Sequence, residues 1–163
     1  MKKKFSLMLI ISTTLVIAMV LIIFAFSTQQ GESSVGISEG IVDSLIQKLG
    51  MKSFIEGNEL LYEHRNYIFR KIMHFIEYAL LATLTFITLK LRKLRLKHIS
   101  IMTLLFVGIV ASVDEYYQSH IPGRSPHIRD VLIDTFGAFT AIITILINIK
   151  LFQRLKKKDE AYQ

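Results

Sequence analysis

Long apolar runs separated by short polar segments make up most of the 163-residue chain. The runs cover approximately residues 5–26, 72–89, 99–117 and 131–149. A helix of about 20 apolar residues crosses the hydrocarbon core of a bilayer, so each run is long enough to span a membrane. The pattern predicts an all-α integral membrane protein, a single domain over residues 1–163 in which four transmembrane helices form a bundle.

The first run has features of both an anchor and a signal peptide. It follows three lysines and ends near Ala25-Phe26-Ser27, which is a tolerable cleavage site. The apolar part of a signal peptide is usually about 7–15 residues long, which is shorter than this run. We therefore expect an uncleaved membrane anchor, with cleavage as the alternative.

The basic residues predict the orientation of the bundle. Most of the 20 Lys and Arg residues lie at the N-terminus, in a connector at 90–98 and in the tail from Lys150. Short cytoplasmic segments of membrane proteins are enriched in Lys and Arg. We therefore expect both termini in the cytoplasm and the connection at 27–70 outside the cell.

The connection at 27–70 contains apolar residues at helical spacing between Ile37 and Leu49. Ser38 is a candidate N-cap and Gly50 a candidate terminator. The pattern predicts a short extracytoplasmic amphipathic helix, which lies either on the bilayer surface or over the outer ends of the spans.

The composition agrees with a membrane protein and excludes other classes. Apolar residues make up 52% of the chain, and the mean hydropathy is +0.44. The absence of cysteine excludes disulfides, iron–sulfur clusters and a thiol nucleophile. The formal net charge of +7 reflects the basic segments that set the orientation. We therefore expect contact with membrane lipids and no binding of nucleic acid.

Ionisable residues gather at the outer ends of three predicted spans. Within each span they share one face, which is about 120° wide on the second span. They are Lys71, His74, Glu77 and Tyr78, then Asp114, Glu115 and Gln118, then Asp130 and Asp134. Because ionisable groups within a bilayer normally face a partner or a wet cavity, we expect one shared polar site. Gly137 and Ala141 continue the face of the fourth span, where small residues allow close helix packing.

The loop between the third and fourth spans contains Arg124 directly after Pro122-Gly123. A Pro-Gly turn would bring Arg124 back over the polar site. The guanidinium group fits carboxylate or phosphate with two parallel hydrogen bonds. Arg124 is therefore expected either to pair with a carboxylate of the site or to bind an anionic ligand group.

Four motifs resemble those of the VanZ-like family of small bacterial membrane proteins. They are Ser27-Thr28-Gln29, Lys71-x-x-His74-x-x-x-Tyr78, Asp114-Glu115-x-x-Gln118, and Pro122-Gly123-Arg124 followed by Asp130-x-x-x-Asp134-x-x-Gly137. Asp134 departs from the family, in which we expect Asn more often at this position. The extra carboxylate would change the ion preference of the site or pair with Lys71.

The resemblance implies a multi-pass protein of the bacterial plasma membrane. The protein that gives the family its name is linked to resistance to teicoplanin, a glycopeptide antibiotic with a lipid tail. The resemblance supplies a phenotype and no reaction, so the function has to be argued from the site.

Two functions fit this site, and a third fits less well. In the first, an accessory or binding protein holds the head group of a lipid-linked cell-wall precursor or of a lipid-tailed glycopeptide. Arg124, Lys71 and His74 would then contact phosphate or carboxylate. In the second, a membrane enzyme acts on a lipid-linked cell-wall precursor, with His74 or Glu115 as general base. A transporter fits less well, because carriers usually bind at the midplane.

The sequence predicts which residues bind the ligand, but it does not determine whether the site also holds a metal ion. The candidate ligand-binding residues are Lys71, His74, Tyr78, Asp114, Glu115, Gln118, Arg124, Asp130 and Asp134. We expect no cofactor. A divalent cation is compatible with these residue types, but their spacing is not diagnostic. The oligomeric state does not follow from the sequence.

Overall fold

The computed structural model describes the backbone of residues 2–27, 31–121 and 127–160, and the side chains of residues 4–27, 40–121 and 127–160. This part of the chain is helical and contains no strand. Its helices are α1 (Lys2–Ser27), α2 (Gly31–Lys48), α3 (Lys52–Glu56), α4 (Glu59–Leu91), α5 (Leu96–Gln118) and α6 (Ile128–Glu160). Of these, α1, α4, α5 and α6 are long and apolar enough to cross a membrane, which confirms the predicted all-α fold with four candidate spans.

Two of the spanning helices are longer than the apolar runs that predicted them. Helices α4 and α6 have 33 residues each, or about 50 Å at the usual rise of an α-helix, and so exceed a hydrocarbon core of about 30 Å. Helix α4 begins early because Asn58 caps it, its Oδ1 accepting the N–H of Leu61 at 3.2 Å. Helix α6 continues through the basic tail to Glu160.

Helix α2 begins at Gly31, seven residues before the predicted N-cap. The prediction of Ser38 as the N-cap is therefore wrong, because Ser38 lies inside the helix. The helix packs on the first turns of α4, where the Arg65 Nε atom lies 3.2 Å from Oδ1 of Asp43. This contact agrees with the alternative in which the helix lies against the bundle.

Gly50 ends α2, as predicted. Its φ of +67° lies in the left-handed region, which glycine adopts without a steric penalty. The Met51 N–H donates to the Ile46 carbonyl at 3.0 Å, and the Gly50 N–H donates to the Gln47 carbonyl at 3.2 Å. This pair of bonds is the Schellman arrangement, which satisfies carbonyl groups left open at a helix end.

Helix α4 packs against each of the other three spans. It contributes Tyr78, Leu81 and Ala82 to the buried core. Its closest neighbour is α6, because a Cβ atom added to Gly137 would lie 2.4 Å from the Phe75 carbonyl oxygen. The predicted close packing at Gly137 is confirmed. This contact fixes α4 and α6 together directly beside His74 on α4 and one turn after Asp134 on α6.

Candidate functional site

Polar side chains from four helices meet at the end of the bundle where α1 ends. Two turns of α4 and the last turn of α5 lie opposite the first two turns of α6 at this level. We call this set the polar cluster: Ser27, Lys71, His74, Glu77, Tyr78, Asp114, Glu115, Gln118, Asp130 and Asp134. It contains every predicted site residue that lies within the described part of the chain.

The centre of the polar cluster is buried. Asp114 and Asp134 are only 1% and 3% exposed, and Tyr78 is fully buried. The Gln118 amide donates to Oδ2 of Asp114 at 2.8 Å and to Oγ of Ser27 at 3.1 Å. The Tyr78 hydroxyl lies beside the same Asp114 carboxyl group. Asp114 is therefore held by groups from α4 and α5, and Ser27 of α1 binds the same Gln118 amide.

The two basic residues of the polar cluster each face a carboxyl group on α6. The Lys71 Nζ atom lies 2.5 Å from Oδ1 of Asp130, and both side chains are about one-fifth exposed. The His74 Nδ1 atom lies 3.8 Å from Oδ1 of Asp134. The predicted alternative of a pair between Lys71 and Asp134 is therefore wrong. Lys71 pairs with Asp130, which lies one turn nearer the start of α6 than Asp134.

Glu115 joins the end of α5 to the start of α6. Its Oε1 atom accepts the backbone N–H of His127 at 2.6 Å. The side chain is half-buried, in contrast to the neighbouring Asp114. Lys71 and Asp130 are near enough to interact with it electrostatically. Glu115 therefore lies at the border between the buried centre of the cluster and its surroundings.

Some of the predicted features lie outside the described residues. They are the Pro122-Gly123 turn, Arg124 and the motif residues Thr28 and Gln29. Both expected roles of Arg124 remain predictions.

Carboxyl groups outnumber basic groups among the described members of the polar cluster. Five carboxyl groups share the cluster with one lysine and one histidine, and both of these already face a carboxylate. Burial of uncompensated charge is costly in a low-dielectric environment. The described part of the cluster therefore contains more carboxyl groups than described basic residues that could pair with them.

Comparison with protein families finds a match, which covers most of the chain. The family model described as VanZ/LLP1 matches residues 12–151. The chain belongs to the VanZ/LLP1 family. No curated protein and no solved structure matched the chain. With its four long apolar helices, this VanZ/LLP1 protein is a multi-pass membrane protein, and the whole polar cluster lies within the matched range.

Two groups in the polar region of this VanZ/LLP1 protein were not among the predicted site residues. Ser27 accepts a hydrogen bond from Gln118. The sequence feature that could have identified Ser27 is its position as the first polar residue after the apolar run. No sequence feature could have identified the backbone N–H of His127, because every residue except proline carries such a group.

Metal-binding geometry is absent from the part of the chain that the structure describes. There, no three His, Asp or Glu side chains are grouped so that they could hold a metal ion. The polar cluster instead offers hydrogen-bond acceptors from several helices at one level, with Glu77 and Glu115 half-buried at its border.

Proposed function

We propose that this VanZ/LLP1 protein is an accessory membrane protein of the bacterial envelope. It binds the polar head group of an amphiphile at the outer face of the plasma membrane. The observation that carries the proposal is the convergence of polar side chains from α1, α4, α5 and α6 at one level. Such groups are costly within a bilayer and are usually retained for function.

The distribution of basic residues supports an outward-facing polar cluster. The connector between α4 and α5 and the last turns of α6 are rich in Lys and Arg, and both lie at the opposite end of the bundle. Basic segments of this kind stay in the cytoplasm. Both termini are then cytoplasmic, and the head group is reached from outside the cell.

The charge balance of the cluster supports an ammonium group as the part of the head group that is bound. Lys71 and His74 already have carboxylate partners, so they are poor candidates for holding a phosphate. Glu77 and Glu115 are half-buried and can accept charge-assisted hydrogen bonds from an ammonium group. A lipid-tailed glycopeptide and a lipid-linked cell-wall precursor are the amphiphiles that we propose.

Teicoplanin susceptibility of bacteria that express the protein tests the proposal. Asp114→Asn and Glu115→Gln remove a charge and keep an acceptor oxygen. We expect both variants to abolish protection at unchanged protein level in the membrane. Glu63→Gln, at an exposed position on α4 outside the cluster, should protect like the wild type. Equal protection by all variants would exclude the cluster, and equal susceptibility with and without the wild-type protein would exclude a resistance role.

A second function, an enzyme acting on a lipid-linked cell-wall precursor, has one observation in its favour. Asp134 lies 3.8 Å from His74, and a carboxylate at this position orients a histidine that serves as general base. Purified protein would then turn over a labelled lipid-linked precursor. Turnover should be lost in His74→Gln and reduced in Asp134→Asn, whereas a binding protein shows no turnover with any variant.

A further inference from the structure

A groove lies between α5 and α6 on the outside of the bundle. It has a volume of about 480 Å³ and is widely open on its outer side. It follows α5 over residues 104–113, a length of about 14 Å at 1.5 Å per residue. Leu104, Leu105, Gly108 and Ile109 line it on α5, and Val131 and Thr135 line it on α6.

The groove is open and apolar. Nothing lies within 4 Å of the position that a Cβ atom would take on Gly108, so the middle of the groove is empty space. Leu105 and Ile109 are 62% and 63% exposed. The Ser112 hydroxyl donates to the Gly108 carbonyl at 2.7 Å, so this donor is already used within α5. The lining therefore suits a hydrocarbon chain.

One end of the groove leads to the polar cluster. Glu115 lies on the same face of α5 as Leu104 and Gly108, one turn beyond Ser112. His127 lies one turn before Val131, and its N–H binds Glu115. A molecule that fills the groove therefore reaches Glu115 at its polar end, without crossing the bundle.

We propose that the groove binds the alkyl tail of the amphiphile whose cationic head group the polar cluster binds. This inference rests on the proposed function and adds the requirement for a long apolar chain. The head group faces Glu115, and the tail lies along α5 towards Leu104. A head group without a tail therefore binds less well than the complete amphiphile.

A second copy of this chain is the competing occupant. Small residues four positions apart, such as Gly108 and Ser112, allow two membrane helices to pack closely. The continuity between an apolar groove and a carboxylate at its polar end favours an amphiphile, because an alkyl chain with a cationic head group matches both parts. The oligomeric state of the variants below separates the two occupants.

Photolabelling of the full chain in phosphatidylcholine nanodiscs tests the proposal. The probe is hexadecylamine with a diazirine at the middle of its chain, and the matched probe is the corresponding alcohol. Gly108→Phe fills the groove, and the open space at Gly108 allows the variant to fold. Thr144→Phe places the same side chain at an exposed position on the opposite side of α6 and serves as the control.

We expect the amine probe to label residues 104–113 and 131–135 more strongly than the alcohol probe. This labelling should be lost in Gly108→Phe and kept in Thr144→Phe. Unchanged labelling in Gly108→Phe would overturn the proposal that the groove binds the alkyl tail. The proposed function would survive that result if Glu115→Gln still abolished the preference for the amine probe. Equal labelling by both probes in the wild type overturns the head-group site and the inference together. A dimer that Gly108→Phe converts to a monomer assigns the groove to a second copy.

Discussion

The contact between Gly137 and α4 gives the sharpest test of the packing. Gly137→Ala adds a single methyl group, which would lie 2.4 Å from the Phe75 carbonyl oxygen and 3.2 Å from its carbonyl carbon. Ordinary contacts of this type begin at about 3.4 Å, and both obstructing atoms belong to backbone. The two helices must therefore move apart by about 1 Å, because rotation of a side chain cannot relieve the clash.

The expected cost follows from the packing of this site. Insertion of an extra methyl group into a close-packed interior destabilises a protein by about 1–3 kcal/mol. Alanine has a higher helix propensity than glycine, which stabilises the variant by up to about 1 kcal/mol. Steric repulsion by rigid backbone should outweigh that gain. The displaced Phe75 lies directly after His74, so the separation also disturbs the polar cluster.

Thermal unfolding of the purified protein in detergent, followed by circular dichroism, measures the effect. Gly108→Ala makes the same chemical change on α5, where nothing lies within 4 Å of the added atom. We expect a lower Tm for Gly137→Ala and an equal or higher Tm for Gly108→Ala. Equal Tm values for the two variants would refute the close approach of α4 and α6.

The ion pairs and carboxylates should differ in their contributions to stability. Lys71→Ala leaves the largely buried Asp130 without its cation and should cost about 1–3 kcal/mol. The double variant Lys71→Ala/Asp130→Ala should recover most of that loss in a thermal double-mutant cycle, and strict additivity would contradict the pair. Asp134→Asn removes a buried carboxylate near several others and should leave the Tm unchanged or raised, so a loss as large as that of Lys71→Ala would contradict this. Asp43→Ala breaks an exposed pair with Arg65 and should change the unfolding free energy by only about 0.2–1 kcal/mol, whereas a larger loss would show that α2 is held mainly by this pair.

Hydrophobic patterning predicts the spans of this protein well, because the physical requirement is local. A run of apolar residues is long enough to cross a bilayer whatever its neighbours are. Helical periodicity likewise predicts the shared face of Lys71, His74 and Tyr78, and the small residue Gly137 marks a close contact. These signals lie within a few turns of a single helix.

The features that sequence reasoning missed depend on caps or on the register between helices. The start of α4 is set by the N-cap Asn58. A hydropathy profile does not detect this part of the helix, because many of the residues that follow Asn58 are polar. The error at Ser38 is of the same kind, because α2 continues through a residue that often serves as a cap. Lys71 pairs with Asp130 and not with Asp134 because of the register between α4 and α6. The spacing of residues along the sequence does not determine this register.

The most direct test of the convergence of helices on one polar cluster uses the absence of cysteine from the chain. Ser27 and Gln118 lie on different helices, and their side chains are hydrogen-bonded. A short bifunctional thiol reagent should cross-link the two cysteines of Ser27→Cys/Gln118→Cys in membranes, detected as a linked peptide by mass spectrometry. The control Ser27→Cys/Ser119→Cys, with an exposed second position, should give little linked peptide. Efficient linkage of the control pair, or none of the first, would contradict a cluster built by α1 and α5 together.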